Sequence, residues 1–141
     1  AYEKENIPVR ESLIYHGDYT IQGGVRGIEK LVADNPDMTA VFVTNYEMTM
    51  GAVIGMNELD LKIPEQLSMI GFDNLQFARA CSPKLTIVAQ PTSGIAREVA
   101  SIMLKRLGEA ESEETEPITE KLGAEIIMGK SVRVLKEKEN S

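Results

Sequence analysis

The fold of this chain is decided by the stretch Leu67-Ser68-Met69-Ile70-Gly71-Phe72-Asp73-Asn74. Its first four residues form a short run typical of a buried strand, and its last four form a turn that carries a carboxylate and an amide. In open α/β sheets, ligands bind beyond the carboxyl ends of parallel strands. The stretch therefore predicts an α/β fold with Asp73 as a ligand group.

Similar runs alternate with helical patterns along the chain, as they do in βαβ units. Further strands are predicted at residues 13–15, 40–44, 85–89 and 126–128. Residues 40–44 are apolar without alternation, which predicts a strand covered on both faces. Helices are predicted from Asp18 or Thr20, over residues 47–59, and from Thr92 or Ser93 to residue 107, while residues 77–82 form a loop or a short helix.

The composition narrows the classes of function. A net charge of −7 repels a phosphate backbone, so this chain alone is not expected to bind nucleic acid. The single cysteine, Cys81, excludes an internal disulfide and favours a reducing compartment, which predicts a cytoplasmic protein. No apolar run approaches the roughly 20 residues that span a bilayer. The chain lacks an initiator Met, and its first residues resemble the last turns of a helix, so we expect a fragment cut at its N-terminal side.

Catalysis, metals and cofactors find little support. Gly23, Gly24 and Gly27 follow a predicted strand, but Gln22 stands where a dinucleotide fingerprint needs its first glycine. We therefore expect these glycines to let a helix lie close to its sheet. His16 is the only histidine, and Cys81 has no partner near it in sequence, so no catalytic residue, metal ligand or cofactor is predicted. A phosphoacceptor receiver domain is disfavoured because it needs an acidic pair after its first strand.

Polar side chains follow several of the predicted strands and would meet at one edge of the sheet. Carboxylates and amides bond hydroxyl groups, and an aromatic ring covers the apolar face of a sugar. The same residues can instead cap the helices that follow; we favour capping for Asp18 and ligand binding for Asp73. The set comprises Asp18, Tyr19, Thr44, Asn45, Asp73, Asn74 and Gln90.

The chain resembles the effector-binding core of the LacI/GalR family of bacterial regulators over residues 1–132. The order and spacing of four segments carry this resemblance. They are Gly17-Asp18-Tyr19-Thr20 with Gly24, Thr39 to Asn45 with Met48 and Gly51-Ala52, Ile63-Pro64 with Leu67 to Asn74, and Pro83-x-Leu85-Thr86 with Gln90-Pro91.

The resemblance implies a core like a periplasmic binding protein of type I, in which an αβα sheet forms each of two lobes and the effector lies between them. Residues 1–90 would be a truncated C-terminal lobe. Residues 91–121 would cross to the other lobe, residues 122–135 would return as a strand, and residues 136–141 would be a disordered tail. The DNA-binding head, the hinge and most of the N-terminal lobe would lie outside this chain.

The resemblance also implies ligand-binding residues. Tyr19 would stack on the effector, while Asn45, Asp73 and Gln90 would bond its hydroxyls. Three positions depart from the family pattern: Tyr46 where Asp is usual, Thr49 where Ala is usual, and Gly129 where Arg is usual. Tyr46 falls beside the pocket, where it could supply a stacking wall.

A dimer interface is implied at the helix after Asn45 and at the loop near Ser82 and Pro83. Met48, Met50 and Ile54 are the candidates on the helix, and the alternative for each is burial within its own chain. In a truncated lobe, the helix over residues 93–107 would lose the surface on which it usually packs, so we expect it to pack on a second copy.

Together these observations predict a non-enzymatic effector-sensing and dimerisation part of a DNA-binding repressor. Its partners would be a sugar or sugar phosphate, a second copy, and operator DNA through the missing head. The alternatives are a periplasmic sugar-binding protein, a catabolite-control regulator answering to a phosphorylated carrier protein, and a nucleotide-dependent oxidoreductase.

Overall fold

The computed structural model describes residues 2–108 and 117–134. Residues 109–116 of the predicted crossing segment and the predicted tail over residues 136–141 lie outside this range. In the described part, four strands form one sheet in the order β1-β2-β3-β4. These strands are β1 (Ala40–Phe42), β2 (Ser68–Phe72), β3 (Thr86–Ala89) and β4 (Glu125–Ile127).

The sheet is mostly parallel. β1 pairs with β2 and β2 with β3 in parallel, whereas β4 pairs with β3 in the antiparallel sense. The register places Ile70 beside both Phe42 and Thr86. The predicted α/β class is confirmed. β1, β2 and β3 lie side by side in chain order, they are parallel, and a helix connects each to the next.

Helices connect and flank the strands. The α-helices are α1 (Ile21–Asp34), α2 (Tyr46–Glu58), α3 (Leu75–Ala80) and α4 (Thr92–Gly108), and two short 3-10 helices span Tyr2–Glu5 and Glu11–Leu13. Thr20, Asn45 and Asn74 cap the first three α-helices, since their side-chain oxygens accept backbone N–H groups three residues on. The helical turns predicted at the N-terminal side are a 3-10 helix over Tyr2–Glu5.

The core lies between the sheet and the α1–α2 pair. Ile28, Met56, Met69 and Ile87 are almost completely buried there. Ile28 and Met56 come from the two helices, whereas Met69 and Ile87 come from the central strands. Aliphatic packing of this kind fits a chain with no Trp.

The α1 and α2 helices touch through their glycines. A Cβ on Gly24 would overlap the backbone of Met48, and one on Gly51 would overlap the backbone carbonyl of Ile21. The prediction that Gly24 lets a helix lie close to the sheet is therefore wrong, because Gly24 lies against α2. The close neighbour is a second helix, because α1 and α2 lie side by side over the sheet.

Two strand predictions at the N-terminal side of the sheet are wrong. Residues 13–15 form no strand: a 3-10 turn ends at Leu13 and the chain continues extended and unpaired. β1 is not covered on both faces, since Phe42 is 54% exposed. The first difference is one of pairing, because β1 pairs only with β2 among the described residues.

Candidate functional site

The turn after β2 is shaped by two residues in the left-handed region. Asp73 has φ 54° and Asn74 has φ 43°, a conformation that Asp and Asn tolerate better than most residues. The Asp73 N–H donates to the Val88 carbonyl of β3 at 2.8 Å, and the Asn74 side chain caps α3 at the Phe77 N–H. β2 itself runs on through Phe72, so the predicted four-residue turn is reduced to these two residues.

Asp73 and Gln90 form a bonded pair across the ends of β2 and β3. The Gln90 backbone N–H donates to Oδ1 of Asp73 at 3.0 Å, and Gln90 Nε2 donates to Oδ2 at 2.7 Å. Asp73 is half-buried and Gln90 is exposed. Each carboxylate oxygen keeps a second lone pair, so this pair is oriented and can still accept hydrogen bonds from a ligand.

Asn45 lies between β1 and α2, immediately before the first residue of α2. Its Oδ1 accepts the Met48 N–H at 3.0 Å as the cap of α2, and its Nδ2 donates to Glu47 Oε2 at 3.0 Å. Capping, the alternative to ligand binding, is therefore realised in this structure. Glu47 was not predicted as a site residue. Its position two residues after Asn45 was the only sequence feature that could have indicated this contact.

The two tyrosines differ in exposure. Tyr19 has φ 60° and a 73% exposed side chain, so its ring is available to a ligand. Tyr46 is the first residue of α2 and is half-buried. Within the described residues, no hydrogen bond joins Tyr19 to Asn45, Asp73 or Gln90.

The capping role favoured for Asp18 is wrong, because Thr20 caps α1, but Asp18 makes local contacts beside that cap. Its Oδ1 accepts the Thr20 hydroxyl at 2.7 Å and the Thr20 N–H at 3.1 Å, and its Oδ2 pairs with Arg26 at 2.7 Å. The Thr20 hydroxyl bond, the Thr20 backbone bond and the Arg26 charge hold the pKa of this carboxyl below its ordinary value.

Thr49 links the two halves of the site and was not predicted as a site residue. Its hydroxyl donates to the Asn45 carbonyl at 2.7 Å and accepts the Phe72 N–H at 3.2 Å. A Cβ on Gly71 would overlap the Thr49 methyl group, so Gly71 makes this approach possible. The departure from the usual Ala at position 49 was the available signal.

The predicted interface residues have mixed surroundings. The Met48 side chain packs on Gly17, Met50 is half-buried, and Ile54 is 39% exposed. Ser82 is exposed and Pro83 half-buried in the loop after α3. Packing within its own chain accounts for the apolar side chain of Met48. The interface role of all five residues stays a prediction.

Other kinds of site find no support in residues 2–108 and 117–134. No group of three or more His, Cys, Asp or Glu side chains could hold a metal ion there. No helix in this part of the chain is long and apolar enough to cross a membrane. Cys81 is half-buried, and this burial raises the pKa of its thiol, as in an unreactive cysteine.

Comparisons with known proteins bear on the family and the fold of this chain. Residues 1–132 match the model of the periplasmic binding protein-like domain. The catabolite control protein A of Priestia megaterium is 36% identical over 105 residues, which cover 74% of this chain and 32% of that protein. The HTH-type transcriptional repressor PurR of Yersinia pestis (strain Pestoides F) is 36% identical over 107 residues, which cover 76% of this chain and 31% of that protein.

A solved structure extends the likeness to the fold. It is a LacI family transcriptional regulator from Enterococcus faecium with bound ribose, which has a TM-score of 0.80 and 29% identity over 96% of this chain and 49% of its own. This chain thus spans about a third of the curated relatives it matches. The Yersinia pestis and Enterococcus faecium relatives are named as a transcriptional repressor and a transcriptional regulator. The chain belongs to the periplasmic-binding-protein-like effector domains of the LacI/GalR family of transcriptional regulators.

Proposed function

We propose that this chain is the sugar-sensing, dimer-forming part of a cytoplasmic DNA-binding repressor. The head that contacts operator DNA and most of the N-terminal lobe would lie outside residues 1–141. Residues 1–90 and 122–135 would form the C-terminal lobe, and residues 91–121 would cross to the other lobe. No residue of α4 is buried, and this exposure supports such a crossing.

The Asp73–Gln90 pair carries this proposal. Its two bonds fix a carboxylate at the end of a central parallel strand, so the acceptor oxygens are oriented before a ligand arrives. Preorganised polar groups of this kind suit the hydroxyl groups of a sugar. Ribose bound to the Enterococcus faecium relative supports a sugar as the ligand class.

The remaining site residues would surround the same ligand. Tyr19 offers an exposed ring for stacking on the apolar face of a sugar, and Tyr46 would form a second wall. Asn45 would contribute its amide through the donor and acceptor positions that the cap leaves free. Ligand contact with both lobes would favour a closed state and shift the dimer between DNA-competent and DNA-incompetent forms.

The test is calorimetric titration of sugars and sugar phosphates into the longer protein and its Asp73→Ala variant. We expect one of these ligands to bind and the variant to bind about 10- to 100-fold more weakly, because bonds to a charged acceptor contribute roughly 1.5–3 kcal/mol each. Glu58→Ala removes an exposed carboxylate at the far end of α2 and should leave binding unchanged. Unaltered affinity in Asp73→Ala would contradict the site.

A second candidate is a regulator that answers to a phosphorylated carrier protein. The similarity to catabolite control protein A favours it. In that case the phosphorylated carrier would bind the longer protein, whereas the sugars would not. An upstream signal peptide in place of a DNA-binding head would favour a periplasmic sugar-binding protein instead.

A further inference from the structure

The hydrogen-bond ladder between β1 and β2 changes its chemistry at the edge of the sheet that carries the candidate site. Among the described residues, the last backbone bond of this ladder runs from the Val43 N–H to the Ile70 carbonyl at 3.0 Å. In a regular parallel ladder, the next bond would join the Phe72 N–H to the Val43 carbonyl. Here the Phe72 N–H donates to the Thr49 hydroxyl at 3.2 Å, so a side chain of α2 takes the place of a strand carbonyl.

The Thr49 side chain bridges two elements. Thr49 is 1% exposed, so its hydroxyl bonds to protein groups and not to bulk water. The hydroxyl donates to the Asn45 carbonyl at 2.7 Å while it accepts the Phe72 N–H, and these two bonds use its proton and one lone pair. A Cβ on Gly71 would overlap the Thr49 methyl group, so the two residues are in close contact. Thr49 therefore joins the cap residue of α2 to the end of β2.

The two sides of this bridge differ in how firmly they are held. The end of β2 is tied to β3, because the Asp73 N–H donates to the Val88 carbonyl at 2.8 Å and the Asp73 carboxylate accepts two bonds from Gln90. Among the described residues, Asn45 bonds only to the first turn of α2 and reaches β2 through the Thr49 hydroxyl. Loss of this hydroxyl would untie that turn from β2, together with Asn45, and would leave Asp73 in place.

We propose that Thr49 is a positioning residue of the sugar site, which sets the position of Asn45 relative to Asp73. The inference rests on the proposed function, in which both side chains bond one sugar. The hydroxyl groups of a sugar have a fixed spacing, so the amide and the carboxylate must keep a matching separation. Thr49 itself would not contact the sugar, because it is buried and its hydroxyl proton already bonds to the Asn45 carbonyl.

Calorimetric titration of the longer protein with the same sugars and sugar phosphates, ribose first, tests this role. Thr49→Val keeps the shape of the side chain and removes the hydroxyl. It should weaken binding about 3- to 10-fold, because a displaced Asn45 loses about one hydrogen bond to the sugar. Thr49→Ser keeps the donor and the acceptor, so its affinity should stay within about 2-fold of the wild type.

A double-mutant cycle separates positioning from general destabilisation. Asn45→Ser keeps a side-chain oxygen that caps α2, but it removes the amide from the site. If Thr49 acts through Asn45, Thr49→Val should change the affinity by less than about 2-fold in the Asn45→Ser background. An equal loss of affinity in both backgrounds would overturn the proposal, because the effects of independent sites add.

The side-chain amide of Asn45 gives a readout that needs no ligand. Its NMR signals should shift in Thr49→Val and return in Thr49→Ser, whereas the side-chain amide of Gln90, which is bonded on the β3 side, should keep its signals. Thr39→Val, at an exposed position before β1, is the control and should leave both amides unchanged. Unchanged Asn45 signals in Thr49→Val would overturn the proposal even if a sugar binds.

Failure of this proposal and failure of the proposed function give different results. If no sugar or sugar phosphate binds the wild type, but the Asn45 signals shift in Thr49→Val and return in Thr49→Ser, the sugar site fails and the positioning of Asn45 stands. If a sugar binds the wild type and Thr49→Val equally well, the sugar site stands and the positioning role of Thr49 fails.

Discussion

Thr49 shows how a single hydroxyl couples two strand ends. It is 1% exposed, and it joins the carbonyl of the α2 cap residue to the amide at the end of β2. The Asn45 carbonyl also accepts the Thr49 N–H. The Phe72 amide is therefore the group that depends on this hydroxyl.

Thr49→Val should lower the free energy of unfolding by about 1–3 kcal/mol, since it leaves the partly buried Phe72 N–H without this acceptor. Val has nearly the same shape as Thr, so the loss would come from the bond and not from packing. Urea denaturation of the chain measures it. Thr39→Val, at an exposed position, should stay within about 0.5 kcal/mol of the wild type. A similar small effect at position 49 would refute the coupling.

Asp18 gives the chain a local dependence on pH. Its pKa is lowered in the folded state, so folding favours the carboxylate, and this stabilisation is present above the unfolded pKa of about 3.9. It is lost as the pH falls through the lowered folded pKa. Asp18→Asn should therefore be less stable than the wild type at pH 6, and the difference should shrink below about pH 4.

Urea midpoints of both proteins at pH 6 and pH 3 measure this difference. Glu58→Gln removes an exposed carboxylate at the end of α2 and serves as the control. A gap between Asp18→Asn and the wild type that stays constant over this range would contradict the assignment.

At the level of single residues, the sequence predicted those that act through local chemistry. Asp73 follows a strand and lies in a turn, and Asp18 precedes a helix, so their positions in the fold could be predicted from their neighbours in sequence. The bond from Gln90 to Asp73 spans 17 residues, and the bond from Phe72 to Thr49 spans 23. Such contacts depend on the register of β2 against β3 and on the placement of α2, which no local pattern contains.

At the level of elements, the pair α1–α2 depends on backbone contact. Gly24 and Gly51 lie where each helix meets main-chain atoms of the other. A side chain at Gly51 has no flexible neighbour to displace, so the helices must separate.

Gly51→Val should therefore destabilise the chain by about 3 kcal/mol, at the upper end of typical overpacking in a core. Thermal unfolding followed by circular dichroism measures this loss. Gly108→Ala, at the end of α4 where a Cβ meets no atom within 4 Å, should be neutral or slightly stabilising. Equal behaviour of the two variants would exclude close packing of α1 on α2.

The predicted elements succeeded or failed according to their pairing. β2 and β3 were predicted because they are buried between two neighbours, which gives a clear apolar run. The segment at residues 13–15 has an equally apolar run but no strand neighbour among the described residues, so it leaves the 3-10 turn at Leu13 and continues unpaired. The pattern of apolar residues indicates which faces of a strand are buried. It does not indicate whether a neighbouring strand is present to pair with its edges.

At the level of the whole molecule, α4 is the one α-helix of the described residues that has no buried residue. Val99, Met103 and Leu107 recur every four residues and share one face, yet they are 50%, 58% and 79% exposed. A stripe of this size is a surface that favours association. If residues 91–121 cross to another lobe in the longer protein, this face is free in the chain alone.

The chain of residues 1–141 should therefore self-associate through α4. Analytical ultracentrifugation should show a weight-average mass that rises with concentration, and Met103→Glu should lower it by placing a charge in the apolar stripe. Ser101→Glu adds the same charge at an exposed position two residues away, on the other side of the helix, and should leave association intact. A monomer at all concentrations, or equal effects of the two variants, would show that this face is not the contact. The predicted interface at Met50 and Ile54 would then be the surface to test, since α2 carries these residues on a different part of the molecule.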